Sequence, residues 1–396
     1  MHVVERFAAW AVDFRNAVPP QDVLHHARRA VIDWHAALLP GTVVPPATLL
    51  KEALKDEIST PRTAALINGT AAHTMEVDDI FREGIYHPGA PTIAAAHALG
   101  FERRNFLRSV IVGYEISTRI GAAMGRAHYK YWHNTGTIGC FGASAGLQQA
   151  FRMDSMSKPL HAGRAAEAGV TAALMAAQGV TGSLDVLEGD AGYGKAMGGD
   201  PDWEKALATL GREFHITRMT FKNHACCGHT FAAIDGVLEL KERMRFEASD
   251  IEHVDVATYR AGVEVAHYEN PQTPVEGRFS LKYVVAAALT HGNVRLAAFT
   301  PERMRDATTR SLLPKISVSI DPQLDAAFPA QRAARVAIRT RDGRREEWLQ
   351  PTRVGDPDAP LSDAQLESKF LELAVPVLGE AKAKEKLAQL WALGTE

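Results

Sequence analysis

Apolar side chains recur at helical spacing from Val3 to about Ala37, through Val4, Phe7, Ala8 and Ala11 and then Val23, Ala27, Ala30, Val31 and Trp34. Pro19-Pro20 interrupts the series, so the pattern predicts two helices. A turn over Gly41–Pro46 and a short helix over Ala47–Asp56 follow. The alanine-rich stretch Thr63–His97 is divided by Pro88-Gly89 and Pro91, which predicts two helices meeting at a loop from Asp78 to Pro91. Asn105 reads as the N-cap of a helix whose apolar stripe holds Leu107, Val110, Ile111, Tyr114 and Ile120. A polar and aromatic loop, His128–Asn134, then leads to small-residue helices over Gly136–Ala150.

The stretch Ser157–Ala166 places Lys158 beside Pro159, with His161 and Arg164 following. Proline suits the first turn of a helix, where unpaired N–H groups face outward, so these cations outline an anion site. Ala165–Gln178 continues as a strong helix former, with Gly179 as its stop.

The pattern changes after Glu247. Ile251–Ala257 alternates like a strand, as do Lys315–Ile320 and Arg335–Thr340, and Arg341-Asp342-Gly343-Arg344 supplies a hairpin turn into Glu346–Leu349. Helices are predicted around Leu281–Leu289 and Pro301–Leu312, and again over Ser362–Leu393. The expected fold class is therefore mainly α, with a large all-helical domain (1–246 plus 355–396) and a smaller α+β domain (247–354). The length of 396 residues suits this division.

Composition narrows the functions that such a fold could carry. A net charge of -3, from 44 basic and 47 acidic residues without a long run of either sign, gives no footprint for nucleic acid or a membrane surface. No secretory signal and no bilayer-spanning stretch is visible. The three cysteines, Cys140, Cys226 and Cys227, form no Cys-x-x-Cys pair, which points to a reducing, cytoplasmic setting and away from an iron–sulfur cluster.

Gly189 to Ala196 imitates a phosphate loop but ends in alanine where a hydroxyl must bind magnesium. The cluster His73, Glu76, Asp78, Asp79 and His87 is more informative: at helical spacing His73, Glu76 and Asp79 would share a face, as a cation site or an acid/base site. His133 precedes a small-residue helix. Phe221–His229 crowds Lys222, His224, Cys226, Cys227 and His229 together, but adjacent cysteines make awkward chelators, so no metal is assigned. Lys158, Arg164 and Lys222 suit the carboxylates of a small polyacid, while His87 or His133 would exchange a proton next to one of them. Hydride transfer lacks a dinucleotide fingerprint and covalent hydrolysis lacks a Gly-x-Ser-x-Gly elbow.

These residues, with Asn68-Gly69, Gly113-Tyr114-Glu115, Arg119, Lys222–Asp235 and Phe279–Tyr283, resemble the MmgE/PrpD family, which includes 2-methylcitrate dehydratase, cis-aconitate decarboxylase and iminodisuccinate epimerase. The resemblance implies a helical domain with an α+β lid, a homodimer, and a site that uses no cofactor. It implies that His87 transfers the proton, that Lys158, Lys222 and His133 hold carboxylates, and that Tyr283, Glu76 and Asp79 complete the site.

Three departures bear on the reaction. Where the family's decarboxylases and dehydratases look like Asp-Phe-Asp-Asp-Thr, this chain has Glu76-Val77-Asp78-Asp79-Ile80: one carboxylate is a methylene longer and one hydroxyl is lost, which argues against decarboxylation of cis-aconitate. The chain is also about one helix short before Ser155. The expected function is a hydro-lyase of the 2-methylcitrate dehydratase kind. The alternatives are an epimerase of an amino- or imino-dicarboxylate, and a carboxylate-binding member with impaired catalysis.

Overall fold

The computed structural model describes residues 1–100, 103–129, 131–139 and 156–394. Most of the small-residue stretch at 136–150, Cys140, and the shortening before Ser155 lie outside the described residues.

The chain forms two compact units, Met1–Phe221 with Ser362–Glu396, and Lys222–Leu361. In the first unit α1 (Val3–Asn16), α2 (Gln21–Gly41), α3 (Ala47–Ala53), α4 (Pro61–Thr74), β1 (Ile80–Phe81), α5 (Gly89–Ala98), α6 (Arg103–Tyr129), α7 (Asn134–Ile138) and α8 (Ser157–Ala177) come first. Then follow α9 (Tyr193–Gly198), α10 (Trp203–Leu207) and β2 (Met219–Thr220). The second unit holds α11 (Phe231–Met244), β3 (Ile251–Thr258), α12 (Arg260–Val265), α13 (Pro274–Arg278), α14 (Leu281–His291), α15 (Pro301–Met304), α16 (Ala307–Leu312), β4 (Ile316–Ile320), α17 (Pro322–Ala327), β5 (Ala334–Thr340) and β6 (Arg345–Gln350). The chain then returns to the first unit with α18 (Asp363–Leu378) and α19 (Glu380–Trp391). The described residues are mainly α, with a small mixed sheet and the two-stranded pair β1–β2, and no described helix is long and apolar enough to cross a membrane.

Several boundaries differ from the sequence pattern. Asn105 lies inside α6, and the helix runs on through His128 to Tyr129, past a break at Gly125, whose φ of +61 is open to glycine. The predicted helix over Pro301–Leu312 is two, because the Asp306 side chain accepts from the Thr309 N–H and starts a new one. The two-residue strands β1 and β2 pair Ile80 with Thr220 and Phe81 with Met219, too short a run for alternation to announce.

In the second unit the strand order is β4-β3-β5-β6, with β3 parallel to β4 and the other pairs antiparallel. The unit begins well before the change in composition at Glu247. Helix α11 lies on β5 and β6, where Gly236 is so close to Val336 that a Cβ would come within 2.9 Å of it.

In the first unit α4 and α8 pack backbone to backbone. Thr60 caps α4 by accepting from the Thr63 N–H at 3.2 Å, and Pro61 fills the first turn. A Cβ at Gly69 would lie 3.0 Å from the Ala162 carbonyl, and one at Gly163 would run into Thr70 Oγ1 and the Leu66 carbonyl. The turn after α4 is pinned from the opposite side. Lys369 of α18 donates to Asp33 of α2 at 2.5 Å and to the Val77 carbonyl at 2.6 Å, all three groups buried. Asp79 accepts from the Gly89 N–H at 3.0 Å and from the Tyr114 hydroxyl at 2.7 Å, which ties the turn to the start of α5 and to α6.

Two outcomes follow from this packing. Gly163→Ala is expected to cost about 1–3 kcal/mol in urea unfolding, because the added methyl must push two helix backbones apart; unchanged stability would remove the close approach as a constraint. Burial, with Asp33 adding, pushes the Asp79 carboxyl up to about 8 despite the hydrogen bond from Tyr114. Asp79 is thus neutral when folded and ionised when unfolded, so its contribution is complete below the ordinary carboxylate range and is lost as pH rises through 8. In Asp79→Asn this loss disappears: stability relative to the parent should climb between pH 5 and pH 8 by on the order of 1.4 kcal/mol per unit. A difference that stays flat with pH would show that Asp79 is ionised in the fold.

Candidate active site

The helix that carries His73 stops at Thr74, and the next residues leave it abruptly. Glu76 has a φ of +58, a left-handed conformation that is costly for a side chain with a Cβ and is held here by its surroundings. This reversal breaks the helical register. His73, Glu76 and Asp79 therefore do not share a helix face; Glu76 turns toward α8, Asp78 toward His73, and Asp79 toward Tyr114.

Glu76 forms a buried ion pair with Lys158, which stands in the first turn of α8. One turn further on, His161 lies with its Nδ1 3.0 Å from His133 Nδ1, so one of these nitrogens donates and the other accepts. His133 precedes α7 and is buried; that burial, with His73, Lys158, His161 and His87 around it, pulls its pKa well below the usual imidazole value. The ring of His133 stacks on that of His73, centroids 5.3 Å apart and inclined by 18°.

Asp78 joins the other two imidazoles. Its Oδ2 lies 2.7 Å from His73 Nδ1 and 3.2 Å from His87 Nδ1. Burial by itself would raise this carboxyl, but the two facing imidazoles and their hydrogen bonds take it well below the carboxylate range. The backbone N–H of His87 donates to Thr135 Oγ1 at 3.2 Å, fixing the residue ahead of Pro88. His73, Asp78 and His87 bring one ligand-type atom each within 4.8 Å of one another, compact enough to enclose a small cation; the Asp78 carboxylate is hydrogen-bonded to His73 and lies beside the ring of His87.

His87, His133, Glu76 and Lys158 are thus brought together in the first unit. Asp79 adjoins them through the chain, but both its oxygens serve Gly89 and Tyr114. Arg164 is not part of the group: it is exposed and pairs with Glu167 on the outer side of α8. Lys222 and Tyr283 belong to the second unit. Lys222 is buried, and the Tyr283 hydroxyl donates to the Ala298 carbonyl. Nearby in sequence, His224 Nε2 lies 2.8 Å from Asp235 Oδ1, and Cys226 and Cys227 are buried thiols. Site roles for Lys222 and Tyr283 rest on family resemblance alone.

Asp78, His73 and His161 join this group, although the sequence pattern does not mark them as site residues. His161 had a usable signal, since it stands three positions after Lys158 on one helix. Asp78 had none, because only the left-handed turn at Glu76 reveals which carboxylate faces the histidines.

Comparison with known proteins places this chain in a family. Cis-aconitate decarboxylase-like protein oryM of Aspergillus oryzae (strain ATCC 42149 / RIB 40) is 24% identical over 95% of this chain and 91% of its own length. Cis-aconitate decarboxylase of Aspergillus terreus (strain NIH 2624 / FGSC A1156) is 22% identical over 97% of this chain and 91% of its own. The Homo sapiens enzyme of that name is 25% identical over 78% of this chain and 72% of its own. Residues 5–155 and 143–206 match the MmgE/PrpD N-terminal domain and residues 224–393 match the MmgE/PrpD C-terminal domain. With both domains matched over most of its length, the chain belongs to the MmgE/PrpD family.

Proposed function

We propose that this chain is a lyase acting on a small di- or tricarboxylate, with His87 moving a proton at the carbon next to a substrate carboxylate. The observation that carries this reading is the burial, within one unit, of the Lys158–Glu76 pair beside four imidazoles, two of which share Asp78. In such a setting an ammonium group captures a carboxylate strongly, and closely spaced imidazoles can deliver or remove a proton without waiting for solvent. The relatives are named as decarboxylases, which are lyases, and this supports the reaction class.

The finer reading is a hydro-lyase of the 2-methylcitrate dehydratase kind. A base removes the proton alpha to a carboxylate, the electron pair closes a carbon–carbon double bond, the carbon–oxygen bond breaks, and hydroxide leaves as water after protonation. The names of the relatives favour decarboxylation as a second reading. There a carbon–carbon bond to a carboxyl breaks, carbon dioxide leaves, and the His87 imidazolium delivers a proton to the remaining carbon. Lys158 and His133 hold carboxylates in either case. Epimerisation requires only removal and return of the proton, and binding without turnover requires neither.

We further infer a homodimer, supported by the outer half of α8. Ala172 to Ala177 carries no polar or charged side chain, and all of its residues are exposed, including Leu174 and Met175. Sedimentation should give a species near twice the 43.1 kDa chain mass, shifting toward monomer in Leu174→Glu/Met175→Glu.

A panel of hydroxylated and unsaturated di- and tricarboxylates, followed by proton NMR in heavy water, separates the readings. A new vinyl signal marks dehydration, loss of one carbon with deuterium uptake marks decarboxylation, and deuterium exchange without elimination marks epimerisation. No change in any acid would defeat the lyase reading. With the substrate so found, Lys158→Ala should raise KM by about 10- to 100-fold, the worth of a hydrogen bond to a charged group. His87→Asn should lower kcat by about 10²- to 10⁴-fold, the usual contribution of a general acid or base.

A further inference from the structure

We propose that His161 is a positioning residue for His133: the two buried rings share a single hydrogen between their Nδ1 atoms, and this bond sets the orientation and tautomer of His133. Its consequence for turnover rests on the lyase reading, whereas the pairing itself does not. His133 Nδ1 and His161 Nδ1 lie 3.0 Å apart, and the residues are 4% and 6% exposed. That is a hydrogen-bond distance, and between two ring nitrogens such a bond needs one N–H and one bare lone pair. Two imidazoliums would set two N–H groups against each other, and two bare nitrogens would set two lone pairs against each other. While both rings are neutral they are therefore of opposite tautomer, one with its hydrogen on Nδ1 and the other with its hydrogen on Nε2.

Both rings hang from fixed backbone. His161 lies on α8 next to Ala162 and Gly163, where that helix approaches Gly69 and Thr70 of α4 most closely. His133 stands at the head of α7, where its carbonyl accepts from the Gly136 N–H at 2.9 Å. The next residue, Asn134, donates through its side chain to the Gly84 carbonyl at 2.7 Å. The ring of His73 stacks on that of His133, while the ring of His161 is tilted by 47° with its centroid 5.2 Å away. One imidazole thus holds His133 through its face and another through its Nδ1. The other charged groups near His133 are Lys158, with Glu76 paired to it, and His87. Burial and these neighbours favour the uncharged ring, and a neutral partner at Nδ1 lets His133 stay uncharged without stranding that nitrogen. The bond made at one ring nitrogen also decides whether the other carries a hydrogen, so His161 acts on the tautomer of His133 as well as on its position.

The test is nitrogen-15 NMR of the full chain labelled at histidine, with His133→Gln and His161→Gln identifying the two rings by loss of signal. In the parent, a coupling between the two Nδ1 nuclei across the hydrogen bond is expected, with one of them protonated and the other bare. Averaged shifts with the coupling retained would report the same hydrogen moving between them. Both Nδ1 atoms protonated, both bare, or no coupling would overturn the pairing. Kinetics on the acid that the parent turns over provide the second readout. His161→Phe keeps a ring but neither donates nor accepts, and should lower kcat/KM by about 10- to 100-fold because it strands a buried nitrogen of His133. His161→Asn carries a donor and an acceptor close to the place of Nδ1 and should recover the parent value to within about threefold. Equal losses in the two variants would show that the His161 ring only fills space. His161→Phe combined with His133→Phe should be no slower than His133→Phe alone; additive losses would mean that His161 does not act through His133. If the parent turns over no tested acid, the lyase reading falls while the coupling between the two Nδ1 nuclei still decides the pairing.

Discussion

The close approach of α4 and α8 is the constraint on which the polar cluster depends. Gly69 and Gly163 remove the side chains that would hold these helices at an ordinary distance, and the backbone of one lies directly on the other. His73 and the turn after it come from one helix, and Lys158 and His161 from the other. A wider separation would leave the side chain of Glu76 short of Lys158, and two buried charges without partners would cost several kcal/mol. The small residues are therefore what makes a charged interior tolerable.

The turn at Glu76 to Asp79 shows how neighbouring carboxylates acquire unlike roles. Glu76, in a left-handed conformation, meets a lysine; Asp78 meets two imidazoles and stays ionised; Asp79 meets a hydroxyl and a backbone N–H and is pushed toward neutrality by burial. The same solvent exclusion acts on all three. Their partners decide the outcome: the two imidazoles facing Asp78 hold its carboxyl down, whereas a hydroxyl and a backbone N–H do not offset the burial of Asp79. Lys369 and Asp33 hold the turn in place through the Val77 carbonyl, so the strain at Glu76 is balanced by a buried ion pair contributed by α2 and α18.

Helix positions were readable because the 3.6-residue period of apolar side chains is a local property, and it survived in α2, α14 and α18. The hairpin at Arg341–Arg344 was readable for the same reason, through Gly343 at a φ of +88. The pair β1 and β2 was not, since two residues cannot alternate and their partners are far apart in sequence. Arg164 looked like a companion of Lys158 because both follow Ser157 closely. Six positions along a helix put it about 120° round the axis from Lys158, and it faces outward to Glu167.

The sequence by itself determined the mainly α class of the fold, the family, and which residue types are on hand as candidates for proton transfer and carboxylate binding. It did so because periodicity, turn residues and composition act over a few neighbours. Which carboxylate meets which histidine was decided only by the tertiary structure. A single residue in the left-handed region after His73 rotates every later side chain off the helical face, and a one-dimensional pattern carries no record of that rotation.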